Sequence, residues 1–369
     1  MQNFINSLPL EDRLPLELSR LYEQFGYQKY CMSKFEEYGF YSDNRDFLST
    51  DGIIAFNNSA GRLMALKPDI TLSIVKNART LPGAEARYYY NENVYRITDD
   101  THDCKEIKQC GVELLGDIDS HSTAEIVLLA LNSLAKIDNE FNLIISHIGF
   151  VSAALADAGI MGERRKKILG FIKRKNRHDL LNWCRLSGIE DSIVERLLKI
   201  SSINGRLDEV LPALNELVTD EKTLAAYNEL YDLCKAIKDN DYFKNLVFDL
   251  SVLNHLDYYN GILLQGYVKN SPSPVLSGGR YDSLAKKIRG KGGALGFALY
   301  LDGLNLYYPN KNEFDCDVLI IANQSDANLF KILADFENTG KKVMITHKNE
   351  LNVKAKQIMY YDNGNLTKE

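Results

Sequence analysis

Leu14, Leu18, Leu21 and Phe25 recur three or four residues apart, so residues 12–26 are expected to fold as an amphipathic helix. Further along, the pattern shortens. ARYYYNENVYRI (86–97) and KEIKQCGVELL (105–115) read as two strands, and the polar residues Thr98 to Cys104 as the loop between them. Ser122 and Glu125 are spaced as a capping box ahead of the apolar stretch Ile126 to Ile137, which predicts a long buried helix. NLIISHIGF (142–150) reads as another strand. From about 151 to 245 Leu, Ala, Lys and Glu dominate, apolar residues fall at helical spacing and strand signals vanish. Strand patterns return at 246–268 and 274–282, and the apolar stretch 294–308 reads as a buried helix. From about 314 the order is strand (Asp317–Ala322), helix (Ala327–Thr339), strand (Lys342–Thr346) and strand (Gln357–Tyr361). Together these patterns predict an α+β fold: an antiparallel sheet flanked by helices, with a helical insertion and a small C-terminal α/β unit. The expected divisions are a core made of 1–150 and 246–310, the insertion 151–245, and the small unit 314–369.

Composition narrows the function classes. The chain has 369 residues, 45% hydrophobic and 25% charged, as in ordinary water-soluble proteins. Lys and Arg number 44 against 50 Asp and Glu, a net charge of −6, so no general electrostatic grip on nucleic acid is expected. Cys31, Cys104, Cys110, Cys184, Cys234 and Cys316 form no CxxC pair, which points to reduced cytoplasmic thiols and not to zinc or a disulfide framework. The six histidines show no ligand spacing, so no metal and no cofactor are expected. MQNFINSLPLEDRL lacks a basic stretch followed by an apolar one, and no apolar run is long enough to cross a bilayer. A cytoplasmic protein without membrane contact is the expectation. The basic stretch from Arg164 to Arg177, interleaved with Ile168, Leu169, Phe171 and Ile172, reads as the solvated face of an amphipathic helix, with contact to RNA or an acidic partner as the minority reading.

The candidate chemistry is a small-molecule site. Residues two apart on a strand share a face, so Gln109, Gly111 and Glu113 point the same way, and the glycine leaves room for a ligand against the backbone. Asp69 and Thr71 share a face if their segment is extended; simple turn chemistry after Pro68 is the equal alternative. Tyr258 and Tyr259 are expected on opposite faces, with Asp257 and Gly261 sharing that of Tyr259. Gly278–Gly279 suits a tight turn, Tyr88–Tyr90 suits sheet packing, and Glu113 alone suits a carboxylate at the core edge equally well.

Six segments, in order, carry a resemblance: LKPDIT (66–71), RYYYNENVYR (87–96), QCGVELLG (109–116), VLNHLDYY (252–259), GGRYDSL (278–284) and GFALYLDGL (296–304). Over about residues 10–308 the chain resembles the histidyl-tRNA synthetases, which are class II enzymes. The resemblance implies a histidine pocket with Glu113 and Tyr259 at the imidazole, Asp69, Thr71 and Gln109 near the ammonium group, and Tyr281 in the lining. Asp69 stands where the family has a glutamate.

The departures lie on the nucleotide side. Forming an aminoacyl-adenylate needs several fixed cations around a triphosphate. Asn254 and Gly303 stand where the family has arginines, Thr98 replaces the motif 2 glutamate, and the loop DDTHDC is acidic; Arg96 remains, more in keeping with a structural ion pair than a phosphate contact. Ser33 replaces the motif 1 proline, and the tail from Phe314 is shorter than an anticodon-binding domain. A core that keeps the amino-acid pocket and loses the ATP residues is similar to the regulatory subunits of ATP phosphoribosyltransferase. That likeness implies a short catalytic subunit as partner in a hetero-octamer, a self-dimer, free histidine as effector, and neither aminoacylation nor tRNA binding. Two rival readings are a histidine-activating ligase and an RNA-binding module.

Overall fold

The long hairpin anticipated at 86–115 is the centre of the computed structural model, which describes residues 8–48, 52–78, 85–97, 101–253, 258–308, 314–323, 327–337, 339–347, 353–362 and 364–368. Among these residues one sheet contains β1 (Gln28–Lys29), β2 (Ala86–Ile97), β3 (Cys104–Gly116), β4 (Phe141–His147), β5 (Asn204–Arg206), β6 (Leu246–Asp249), β7 (Ile262–Val268), β8 (Leu276–Arg280) and β9 (Gly293–Tyr300). The strands lie in the order β1-β2-β3-β9-β8-β7-β4-β6-β5. Neighbours run antiparallel except β1 with β2 and β4 with β6.

β9 corrects the helix expected at 294–308 as far as Tyr300; a short helix, Leu304–Tyr307, lies within the rest of that span. The strand sits between β3 and β8 and is buried over most of its length. A strand covered on both faces loses its polar alternation, and periodicity then cannot tell it from a buried helix.

The first helix, Leu10–Gln24, buries Leu10, Leu14, Leu18 and Tyr22. The expected stripe drifts at its end: Phe25 lies beyond the helix and is 40% exposed, while Tyr22 takes the buried position and its hydroxyl meets Ser133 Oγ at 2.9 Å. Ser133 belongs to the helix Ser120–Ala135, whose apolar side, including Ile126, Leu131 and Leu134, is buried. Its cap is Asp119, which accepts from the Ser122 amide at 2.8 Å. Ser122 and Glu125 therefore form no capping box; Glu125 instead pairs with Arg87 and accepts from Tyr27 at 2.8 Å. Leu134 packs over Gly266 of β7, where a β-carbon would stand 2.8 Å from its methyls.

The strand expected over 142–150 stops at His147. Its Nδ1 accepts from the Phe150 amide at 3.0 Å and starts the helix Ile148–Asp157. Five further helices follow, Gly162–Lys173, Arg177–Leu186, Asp191–Ile200, Leu207–Asn215 and Glu221–Ile237, interrupted by the strand β5 at the sheet edge, which the sequence pattern hid. Gly162–Lys173 buries Ile168, Leu169, Phe171 and Ile172 and exposes Arg164, Lys166, Lys167 and Lys173, a solvated basic face.

The chain divides into two compact units, one of Leu14–Gly303 and a second of Met1–Arg13 with Leu304–Glu369. The second unit has a sheet ordered Val343–Thr346, Cys316–Ala322, Ala355–Asp362, Asn365–Lys368, with the helix Ala327–Glu337. The first three strands are parallel, and the last, absent from the sequence reading, is antiparallel. No described helix is long and apolar enough to cross a membrane.

Candidate functional site

The cavity begins with missing side chains. Gly296 of β9 pairs with Glu113 of β3, and a β-carbon at 296 would stand 2.8 Å from the Glu113 carboxyl carbon. Glycine there lets a buried carboxyl lie flat against the neighbouring strand. Gly278 and Gly279 are inside β8, not in the tight turn expected of them. Glycine inside a strand marks a close approach, and here the Tyr259 ring lies against Gly279, 2.8 Å from where its β-carbon would be. Gly111 also differs from expectation. The space over it is filled by the Tyr90 phenol, its cross-strand partner, and not left open to a ligand.

Glu113 is 2% exposed. Thr71 Oγ1 donates to its Oε1 at 2.6 Å and the Tyr281 hydroxyl donates to Oε2. Burial pushes its carboxyl up to about 8, against the pull of those two hydroxyls. Burial likewise raises Asp69, opposed by Arg96. Asp69 and Thr71 are not on an extended segment. Asp69 Oδ1 accepts from the Leu72 amide at 2.8 Å, and Thr71 opens the helix Thr71–Asn77. The turn chemistry is real, and both residues still line the cavity.

The six residues Asp69, Thr71, Gln109, Glu113, Tyr259 and Tyr281 converge on one cavity of about 240 Å³. That is below the roughly 300–1,000 Å³ of drug-sized sites and suits a ligand of amino-acid size. Tyr258 enters it as well, because residues 258–261 precede β7 in irregular backbone and strand alternation does not apply. The Tyr258 and Tyr259 rings meet edge to face at 4.7 Å, and Tyr258 lies 5.4 Å from Tyr281. Burial drives all three phenols well above their ordinary range, so they stay neutral donors. Gly261 faces elsewhere, toward a second cleft; Asp257 lies outside the described residues.

Sequence reasoning missed Tyr90, Phe297, Tyr300 and the turn Asp46–Leu48 at the cavity. Tyr90 was open to discovery through its pairing with Gly111. Phe297 and Tyr300 were hidden by the helix reading of β9. Nothing in NRDFL signals its place.

On the expected nucleotide side, Arg96 lines the same cavity. Its Nε donates to the Pro68 carbonyl at 3.0 Å, and its Nη2 lies 4.0 Å from Asp69 Oδ2. Gly303 has φ +78, a left-handed turn that a side chain would strain, and does not line the cavity. Thr98 and Asn254 lie outside the described residues.

A second cleft, of about 780 Å³, holds a charge network. Glu229 meets His147 Nε2 at 3.0 Å and Arg280 Nη1 at 3.5 Å, and Arg280 Nε donates to Asp282 at 2.9 Å. Burial would raise the Glu229 carboxyl, but His147 and Arg280 outweigh it and bring it down to about 2. The network ties the helix Glu221–Ile237 to β4 and β8.

A largely antiparallel sheet flanked by helices, with a cavity on one face built from β3, β8 and β9, is the class II aminoacyl-tRNA synthetase-like fold. A solved ATP phosphoribosyltransferase regulatory subunit/histidyl-tRNA synthetase from Bacillus halodurans shares it, with a TM-score of 0.80 at 22% identity over 96% of this chain and 95% of that one. The chain belongs to the histidyl-tRNA synthetase family, whose model matches residues 10–304. A curated relative, the ATP phosphoribosyltransferase regulatory subunit of Oceanobacillus iheyensis, is 25% identical over 291 residues, 78% of this chain and 71% of that protein. A chain of the ATP phosphoribosyl transferase complex from Thermotoga maritima shares the fold at 17% identity, with a TM-score of 0.63 over 80% of this chain and 98% of that chain.

Proposed function

We propose that this protein is a non-catalytic regulatory subunit of ATP phosphoribosyltransferase in histidine biosynthesis. It is required with a short catalytic subunit for activity and mediates feedback inhibition by histidine held in the cavity over β3. The observation that carries this reading is the buried Glu113 carboxyl with Thr71, Tyr281, Tyr259 and Gln109 around one small cavity. A carboxylate and phenols can satisfy both nitrogens of an imidazole, and they would be left unpaired by most other side chains. Asp69, Thr71 and Gln109 supply acceptors for the ammonium group. The names of the curated relatives supply the enzyme.

Arg96, held by Pro68 and Asp69, serves as a structural partner. Adenylate formation would lack its other two arginines at Asn254 and Gly303, several kcal/mol of transition-state stabilisation if each acts as an oxyanion donor does, about 2.7–4 kcal/mol. The assembly is a hetero-octamer containing self-dimers of this chain, cytoplasmic and without tRNA. Histidine inhibits by binding the two states of the assembly unequally; tenfold inhibition needs about 1.4 kcal/mol of difference.

Mixing the purified chain with a short catalytic subunit tests this. The two are expected to co-elute, with phosphoribosyl transfer requiring both. A catalytic subunit fully active alone, or histidine-dependent pyrophosphate exchange by this chain, would sink the reading.

A further inference from the structure

Two short segments build the tyrosine wall of the cavity, and each continues into the second cleft. Tyr258 and Tyr259 line the cavity, and the next two residues, Asn260 and Gly261, line the cleft. Tyr281 lines the cavity, and its neighbours Arg280 and Asp282 line the cleft. The two segments are joined on the cleft side. The Asn260 amide donates to the Arg280 carbonyl at 2.9 Å, the Asp282 amide donates to Asn260 Oδ1 at 2.8 Å, and Asn260 Nδ2 lies 3.3 Å from Asp282 Oδ2. Arg280 Nε reaches the same Oδ2 at 2.9 Å, and Asp282 Oδ1 accepts from the Ala294 amide of β9 at 3.1 Å. The stem of Arg280 runs across Gly261, where a β-carbon would stand 2.9 Å from its Cδ. Glu229 approaches this brace from the helix Glu221–Ile237. His147 Nδ1 accepts from the Phe150 amide, which places the ring's proton on Nε2, 3.0 Å from Glu229 Oε2. Thr123 Oγ1 and Arg280 Nη1 lie 3.2 and 3.5 Å from Glu229 Oε1. One carboxylate thus faces donors from β4, from the helix Ser120–Ala135 and from β8.

We infer that Asn260, Arg280 and Asp282 are positioning residues for the cavity's tyrosines, and that Glu229, through Arg280, lets the helix Glu221–Ile237 set the cavity's affinity for its ligand. These four residues line the second cleft and do not line the cavity. They act by fixing the backbone on both sides of each phenol, so that Tyr259 and Tyr281 are in place before the ligand arrives and less ordering opposes binding. The effect is reciprocal: a ligand that binds better to the braced cavity holds the helix more firmly by the same factor. The inference rests on the histidine reading above and adds what governs that site from outside it.

Calorimetric titration with histidine and amide hydrogen exchange, on the full chain and on Glu229→Gln, test this. Glutamine keeps the volume but turns an amide donor toward donors already there. Histidine is expected to bind Glu229→Gln about tenfold more weakly, and to slow exchange in the helix Glu221–Ile237 of the wild type but not of the variant. A purely structural network predicts a lower melting temperature with the affinity and the helix's response to histidine unchanged. That result overturns the inference and leaves the histidine reading standing. Arg280→Lys carries the same comparison where Glu229→Gln does not fold, since a lysine cannot hold Glu229 and Asp282 together in the fork of a guanidinium. The double variant is expected to bind about as weakly as Arg280→Lys alone, because both changes act on one contact. Losses that multiply, to about 100-fold, would make the two residues independent and overturn the link through Arg280. A wild-type chain that binds no histidine removes both the inference and the reading it rests on.

Discussion

Glu113→Gln is expected to weaken histidine binding by at least about 100-fold while making the free protein more stable at pH 8. The binding loss follows from removing a carboxyl that, on passing its proton to the bound imidazole, pairs with a ring N–H as an ion: a hydrogen bond to a charged partner contributes about 1.5–3 kcal/mol, and its loss leaves the ligand's donor buried and unpaired. The gain in stability comes from proton linkage. The folded protein holds the Glu113 proton up to about 8, whereas the unfolded chain releases it near 4.5. The folded state therefore binds the proton more tightly. Stability is fully present below the unfolded value and falls as pH rises toward 8. At about 1.4 kcal/mol for each tenfold difference in proton affinity, the loss amounts to several kcal/mol. Glutamine does not titrate, so the melting temperature of the variant is expected to exceed that of the wild type at pH 8, with the gap closing toward pH 5. A core-edge carboxylate kept for structure predicts the reverse: unchanged binding and a less stable variant at every pH. Calorimetry and melting curves across that pH range tell the two apart.

Gly296→Ala is expected to abolish binding and to destabilise the fold. The new β-carbon would stand 2.8 Å from the Glu113 carboxyl carbon, closer to its Oε2, and against the Val112 carbonyl. One of these is main chain in the middle of the sheet and cannot yield locally. Overpacking of this kind costs about 1–3 kcal/mol or more, and the outlet for the strain is displacement of Glu113 away from Thr71 and Tyr281. Gly39→Ala is the control. It lies in the short helix Tyr38–Asp43 with nothing within 4 Å of its β-carbon position, so alanine is expected to be neutral or slightly stabilising. Thermal melts and histidine titrations of both variants check the pair. Equal stability for the two would contradict the close packing of β3 on β9.

The hairpin β2–β3, the buried helix after it and the small α/β unit were legible because each carries its own period or its own turn. β9 was not, since burial on both faces erases the alternation that distinguishes a strand. β5 is three residues long, Asn204–Arg206, too short to carry a pattern. That Gln109 and Glu113 share one face was readable from strand geometry, and their place in a pocket only from the resemblance. Asp69 and Thr71 reached the cavity by a turn into a helix, Asp69 capping the Leu72 amide, and not by sharing a strand face. Tyr258 was misassigned for the opposite reason, because alternation was assumed in irregular backbone. Local periodicity thus located β2, β3 and β4, while the close approaches over Gly279 and Gly296 depend on which strands neighbour one another, a property of the whole sheet.

Histidine inhibition of the reconstituted phosphoribosyltransferase, compared between wild-type chain and Glu113→Gln, tests the account at its centre. The wild-type assembly is expected to lose activity as histidine rises, and the Glu113→Gln assembly to be equally active without histidine and resistant to it. An assembly carrying Glu113→Gln that is inhibited at the same histidine concentration as the wild type would show that this cavity is not where histidine acts.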